Sequence, residues 1–172
     1  AIQFKHLKKL EFNNPIAICD NGNISQLVKL LGLNKKNIPA VELFVIASYS
    51  ENRAPSQAAR FFAYDFKAYQ SICKMIDIAN KNKHYAARIA VQDLILEGDI
   101  AVIVNPNFLF INEIPLDKLF VSINANEDIS NSIYLKYQPV FYYDSYALKQ
   151  RDLNVVEMLS ARNFRHEGKV WY

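Results

Sequence analysis

Little in this chain would staple it or anchor it. Cys19 and Cys73 are the only cysteines among 172 residues; they form no Cys-x-x-Cys pair and have no histidine at ligand spacing, which argues against a disulfide framework and a zinc site. A reducing, cytoplasmic setting is the expectation that follows. No apolar run approaches the roughly 18–20 residues needed to cross a bilayer, so no membrane partner is expected. Glycine is scarce, at four residues, and neither a phosphate-binding loop nor a dinucleotide glycine fingerprint is present. His6, His84 and His166 are far apart, and no serine or cysteine stands in a nucleophile elbow. A dyad of Cys19 with His84 or His166 would depend wholly on the fold. Charge of one sign is also thin: the net charge is +3, and the excess is N-terminal, with six lysines against two acids in the first forty residues. That is sparser than the basic stripe of most nucleic-acid binding domains.

The chain does have the composition of an ordered domain: 51% hydrophobic, 22% charged and 13% aromatic residues, well inside the globular range. Its length suffices to bury a core without covalent help. With no repeat and no low-complexity tract, a single α+β domain over residues 1–172 is the expectation. Residues 15–19 read as a strand, followed by the turn Asp20-Asn21-Gly22, an Asn23 cap and a helix over 24–31 closed by Gly32. Residues 41–49, rich in β-branched and aromatic side chains, read as a second strand.

Residues 56–80 carry the strongest periodicity and predict one long helix opened by Pro55 and Ser56. One apolar row is Ala59, Phe62, Phe66, Tyr69, Cys73 and Ile76; beside it run Phe61, Ala68, Ile72, Met75 and Ala79. Arg60, Lys67, Ser71 and Lys74 fall on the opposite, solvated side. A second helix is expected over 84–97, ended by Gly98, with residues 89–96 also suiting a strand. Beyond it the period turns strand-like, predicting a hairpin of 100–104 with 108–112 and further strands at 119–123, 132–137 and 140–143. A helix over 144–162 and an edge strand at 169–172 complete the reading. The predicted architecture is therefore α+β, with a long central helix and flanking helices packed on a mainly antiparallel sheet.

Two groups of residues could carry function. Gly98-Asp99-Ile100 opens the predicted hairpin and Asn112-Glu113-Ile114-Pro115 closes it. This stretch of about 20 residues resembles the core hairpin of the PD-(D/E)xK nuclease superfamily. The resemblance implies Asp99 and Glu113 as Mg²⁺ ligands with Glu97 as an accessory acid, since hard cations prefer carboxylate oxygens. The sequence departs from the motif at its lysine, where Pro115 stands and the nearest lysine is Lys118. Solvated acids at strand ends are the plain alternative, and the departure would make any nuclease-like copy degenerate.

The second group is aromatic. Tyr134, Tyr137, Phe141, Tyr142, Tyr143 and Tyr146 crowd into thirteen residues, and Trp171 stands near the last position. Tyrosine offers large contact area with a hydrogen-bonding tip, which suits a protein interface. The same rings could stack on bases, with Lys5, Lys8, Lys9, Lys35 and Lys36 on phosphates, and rings shared between core and rim are the ordinary alternative. The expectation drawn is a protein without cofactor that acts through an interface with another protein or a second copy of itself, as an assembly, accessory or inhibitor subunit. Nucleic-acid binding is the alternative, and the residues leave open whether any catalytic activity exists.

Overall fold

A computed structural model describes residues 15–25, 27–50, 56–123 and 136–141. The chain divides into two compact units, Asn14–Tyr142 and a second made of Ala1–Asn13 with Tyr143–Tyr172; the described residues all belong to the first. Its elements in order are β1 (Ala17–Asn21), α1 (Leu27–Leu33), β2 (Ile38–Ile46), β3 (Gln57–Ala63), α2 (Phe66–Lys81), β4 (Arg88–Ala90), β5 (Ile100–Val104), β6 (Leu119–Ile123) and β7 (Gln138–Phe141), with single 3-10 turns at Val91–Asp93 and Ile111–Glu113.

The strands form one mixed sheet in the order β1-β2-β3-β5-β6-β7, with β4 pairing β2 in line with β1. Only β2–β3 and β3–β5 are antiparallel among the described strands; β1–β2, β2–β4, β5–β6 and β6–β7 are parallel. The expected architecture is thereby corrected, because the sheet is not mainly antiparallel and the described elements are mostly strands, seven against two α-helices. The hairpin expected from 100–104 and 108–112 does not form. Residues 105–110 are turn, a 3-10 turn follows at Ile111–Glu113, and the chain returns so that β6 lies parallel to β5, with Val102 opposite Leu119.

The long helix expected over 56–80 begins as a strand. Gln57–Ala63 is the central strand β3, flanked by β2 and β5, and all of it but Gln57 and Arg60 is apolar. A segment buried on both faces satisfies a period of 2 and a period of 3.6 equally well, so its apolar rows alone do not choose between them. Pairing on both sides decides for strand. The helix starts only where Asp65, in extended conformation, accepts the Ala68 N–H at 2.7 Å as N-cap.

One face of the sheet packs under α2. Val41, Leu43 and Val45 of β2, Ala59, Phe61 and Ala63 of β3, and Val102 and Val104 of β5 meet Ala68, Ile72, Met75 and Ala79 of the helix in one buried cluster. Ser71 belongs to this buried side rather than the solvated one, and its hydroxyl donates to Lys67 O and Glu97 O. Phe66, assigned to the apolar row, is 72% exposed.

The helix expected over 84–97 is absent. β4 and a 3-10 turn occupy 88–93, and β4 is drawn into strand geometry by pairing with β2. Gly98 does not cap a helix; its φ of +78° turns the chain into β5. Gly32 likewise lies within α1 rather than beyond its end.

Candidate functional site

The second face of the sheet carries the site. Register places Ala17, Ile38, Ala40, Phe62, Ala101, Ile103, Phe120 and Val140 on the side away from α2, since they alternate with the core residues and pair with one another across the strands. Where β2, β5 and β6 begin and β3 ends, all of these but Ala40 floor a cavity of about 420 Å³, with Tyr64, Asp99 and Asp117 also in its lining. That volume is in the usual range for ligand sites, which are mostly apolar with a few placed polar groups.

Three turns form the rim, and two side chains lock them together. Asp65, in the β3–α2 turn, accepts the Ala68 N–H on one carboxylate oxygen and the Asp99 N–H on the other, at 2.7 and 3.0 Å. These two backbone donors, Ala68 first, hold its carboxyl below the usual carboxylate range. Lys118, in the turn before β6, donates its ammonium to Gly98 O and Leu96 O at 2.7 and 2.9 Å. The Tyr64 N–H donates to Asp99 O and prolongs the β3–β5 ladder. Asp99, Asp117 and Tyr64 are thus presented from tied backbone, and Tyr64 and Leu116 remain 56% and 60% exposed.

Charge also sits on this face. Glu42 of β2 lies directly opposite Arg60 of β3, with Oε2 3.1 Å from Nε. The two side chains are only 23% and 11% exposed. A nearly buried ion pair on central strands costs desolvation that its mutual attraction offsets only with good geometry. Farther along β2 a smaller cavity of about 170 Å³ is lined by Phe44, Ile46 and Arg88 with His84 and Tyr85, whose rings meet edge-on at 4.4 Å.

The structure brings few of the residues singled out by sequence to one place. Asp99 lies at the cavity rim just before β5, whereas Glu113 lies in the 3-10 turn that follows this strand. The hairpin that would pair them is not formed, and no group of three or more His, Cys, Asp or Glu among the described residues is arranged to hold a metal ion. The strand pairing on which the resemblance set Asp99 and Glu113 together is therefore absent.

Tyr137 is 8% exposed; its hydroxyl donates to Asn112 Oδ1 and Lys136 Nζ stands 4.9 Å from its ring centre. Phe141 ends β7. Tyr134, Tyr142, Tyr143, Tyr146, Trp171, Lys5, Lys8 and Lys9 lie outside the described residues, as do the helix expected over 144–162, the strand at 169–172 and residues 132–135 of the strand expected over 132–137, whose described residues Lys136 and Tyr137 are not strand. Cys19 is a half-buried thiol in β1. Cys73 is half-buried on α2, where its hydrogen bond to Tyr69, with burial second, raises the phenol above its ordinary pKa.

Sequence reasoning missed the cavity because its floor comes from strands distant in the chain, joined by both parallel and antiparallel pairings that no local signal announces. The available signal was the apolar side chains on both faces of the central strands, which implies a second surface seeking cover. No protein-family model matches the chain, and no curated protein matches it.

Proposed function

We propose that this protein works by binding another protein, as an accessory, assembly or inhibitor subunit, and that the contact is made by the sheet face away from α2. The observation that carries the reading is the apolar cavity floored by Ile38, Phe62, Ile103 and Phe120, with the exposed Tyr64 ring also in its lining. Contiguous apolar surface with a polar rim marks interaction sites more often than single exposed residues do. An aromatic and aliphatic patch of this kind resembles the apolar centre of an interface, with the acids as its rim.

Nucleic acid gains no support from this surface, because Asp65, Glu97, Asp99 and Asp117 outnumber Lys67 and Lys118 around the rim turns and would repel phosphates. Affinity capture with the wild-type chain and with Phe120→Glu tests the proposal. Phe120 is half-buried in the cavity floor, so the charge should abolish retention of a partner whose complex re-forms from purified components. A partner retained equally by the two proteins, or one that fails to re-form the complex, would refute it.

A further inference from the structure

The rim has a chemistry that selects among partners. Asp99 and Asp117 both line the cavity and are exposed, and neither forms an ion pair within 4 Å among the described residues. The nearby cations are already engaged. Lys118 gives its ammonium to two carbonyl oxygens, and Lys67 lies 3.6 Å from Glu97. Asp65 is occupied by backbone N–H groups. Two carboxylates thus stand at the mouth of an apolar floor, held there by the turns that Asp65 and Lys118 tie together.

We propose that the cavity receives a basic and apolar segment of a partner protein: a large aliphatic or aromatic side chain on the floor made by Phe62, Ile103 and Phe120, and a flanking lysine or arginine on Asp99 and Asp117. This rests on the reading of the open face as a protein-binding surface. Charge complementarity of this sort contributes specificity and association rate, and like charge across the rim suppresses acidic partners. A peptide segment fits better than a small amine, because Tyr64, which lines the cavity, is 56% exposed and carries apolar surface out to its edge, where a small molecule on the floor would leave it bare.

The test is fluorescence anisotropy with three labelled peptides of one apolar pattern, in which the intervening positions are all lysine, all serine or all glutamate. They are titrated against the wild-type chain, the Asp99→Asn/Asp117→Asn double variant and Phe120→Glu. The lysine peptide is expected to bind the wild type with an affinity that falls as salt rises. It should bind the double variant about tenfold more weakly, the scale of one lost charge pair, while the glutamate peptide does not bind. If the serine peptide binds as tightly as the lysine peptide and the double variant is unaffected, the cation-selecting rim is overturned and the apolar binding face stands. If no peptide binds, or Phe120→Glu binds them all as the wild type does, the binding face itself is overturned. Saturable binding of phenethylamine without binding of the lysine peptide would overturn the choice of a protein segment. Circular dichroism of each variant separates lost binding from lost fold.

Discussion

Gly98 is a position where a single added methyl group should do damage out of proportion to its size. The residue sits at φ +78°, and a Cβ there would lie 2.5 Å from Ala68 N, 2.6 Å from Asp65 Oδ1 and 3.0 Å from Lys67 C. Two costs follow for Gly98→Ala. Left-handed backbone costs a non-glycine residue about 1–2 kcal/mol, partly offset by about 0.4–1 kcal/mol because alanine loses less freedom on folding. The overlap cannot be relieved by a flexible side chain, since two of the three atoms are backbone of the first turn of α2, which packs on the core. Forced backbone shifts of this kind typically cost about 1–3 kcal/mol. The expected loss is about 3 kcal/mol by these terms together. Gly32 provides the contrast, because it lies in α1 with nothing within 4 Å of its added Cβ. Gly32→Ala should gain about 0.5–1 kcal/mol through helix propensity alone. Urea unfolding followed by far-UV circular dichroism reads both. Equal stability of Gly98→Ala and the wild type, or a loss at Gly32 as large as that at Gly98, would refute the reasoning.

Phe61 is fully buried between Val41 of β2 and Val102 of β5, so Phe61→Ala should cost about 3–5 kcal/mol in the same assay. Glu42→Leu removes the carboxylate from beside Arg60; with the partial exposure of the pair this should cost about 2 kcal/mol, and a second change, Arg60→Met, should recover most of it in a double-mutant cycle. The carboxyl of Asp65 is held below its ordinary value of 3.8. Its stabilising effect is therefore complete above that pH and lost as pH falls through the lower folded-state value. Melting temperatures measured down to about pH 2 should show Asp65→Asn less stable than the wild type near neutral pH, with the gap closing in acid; a gap that stays constant would contradict the cap.

Local chemistry was legible where it did not depend on partners. The strand at Leu119–Ile123 forms where its alternation puts it, and the strand near Val41 forms with its bounds moved to Ile38–Ile46. The C-terminal part of the long helix is also present, with Ala68, Ile72, Met75 and Ala79 facing the core as their spacing requires. What failed were segments whose conformation is decided by neighbours. Gln57–Ala63 has the alanines and phenylalanines of a helix face but is claimed on both edges by β2 and β5. Arg88–Ala90 lies in a stretch that reads as helix and pairs with β2 instead. Asn105-Pro106-Asn107 does turn the chain, but residues 108–113 do not pair back. β6 instead approaches β5 in parallel, a choice that no local turn signal encodes. The candidate site depends on those same pairings. Asp99 was picked out for a hairpin that is absent, and it stands instead with Asp117 at the mouth of a cavity that no single segment announces.

The central claim is that the sheet face away from α2 is where this protein binds. Methyl chemical shifts of the isotope-labelled chain, recorded during titration with the lysine-containing apolar peptide, test it most directly. The account predicts shifts at Ile38, Ile103 and Val140, which line the cavity, with Ile72 and Met75 under the helix unchanged. Shifts confined to the helix side, or none at saturating peptide, would contradict it.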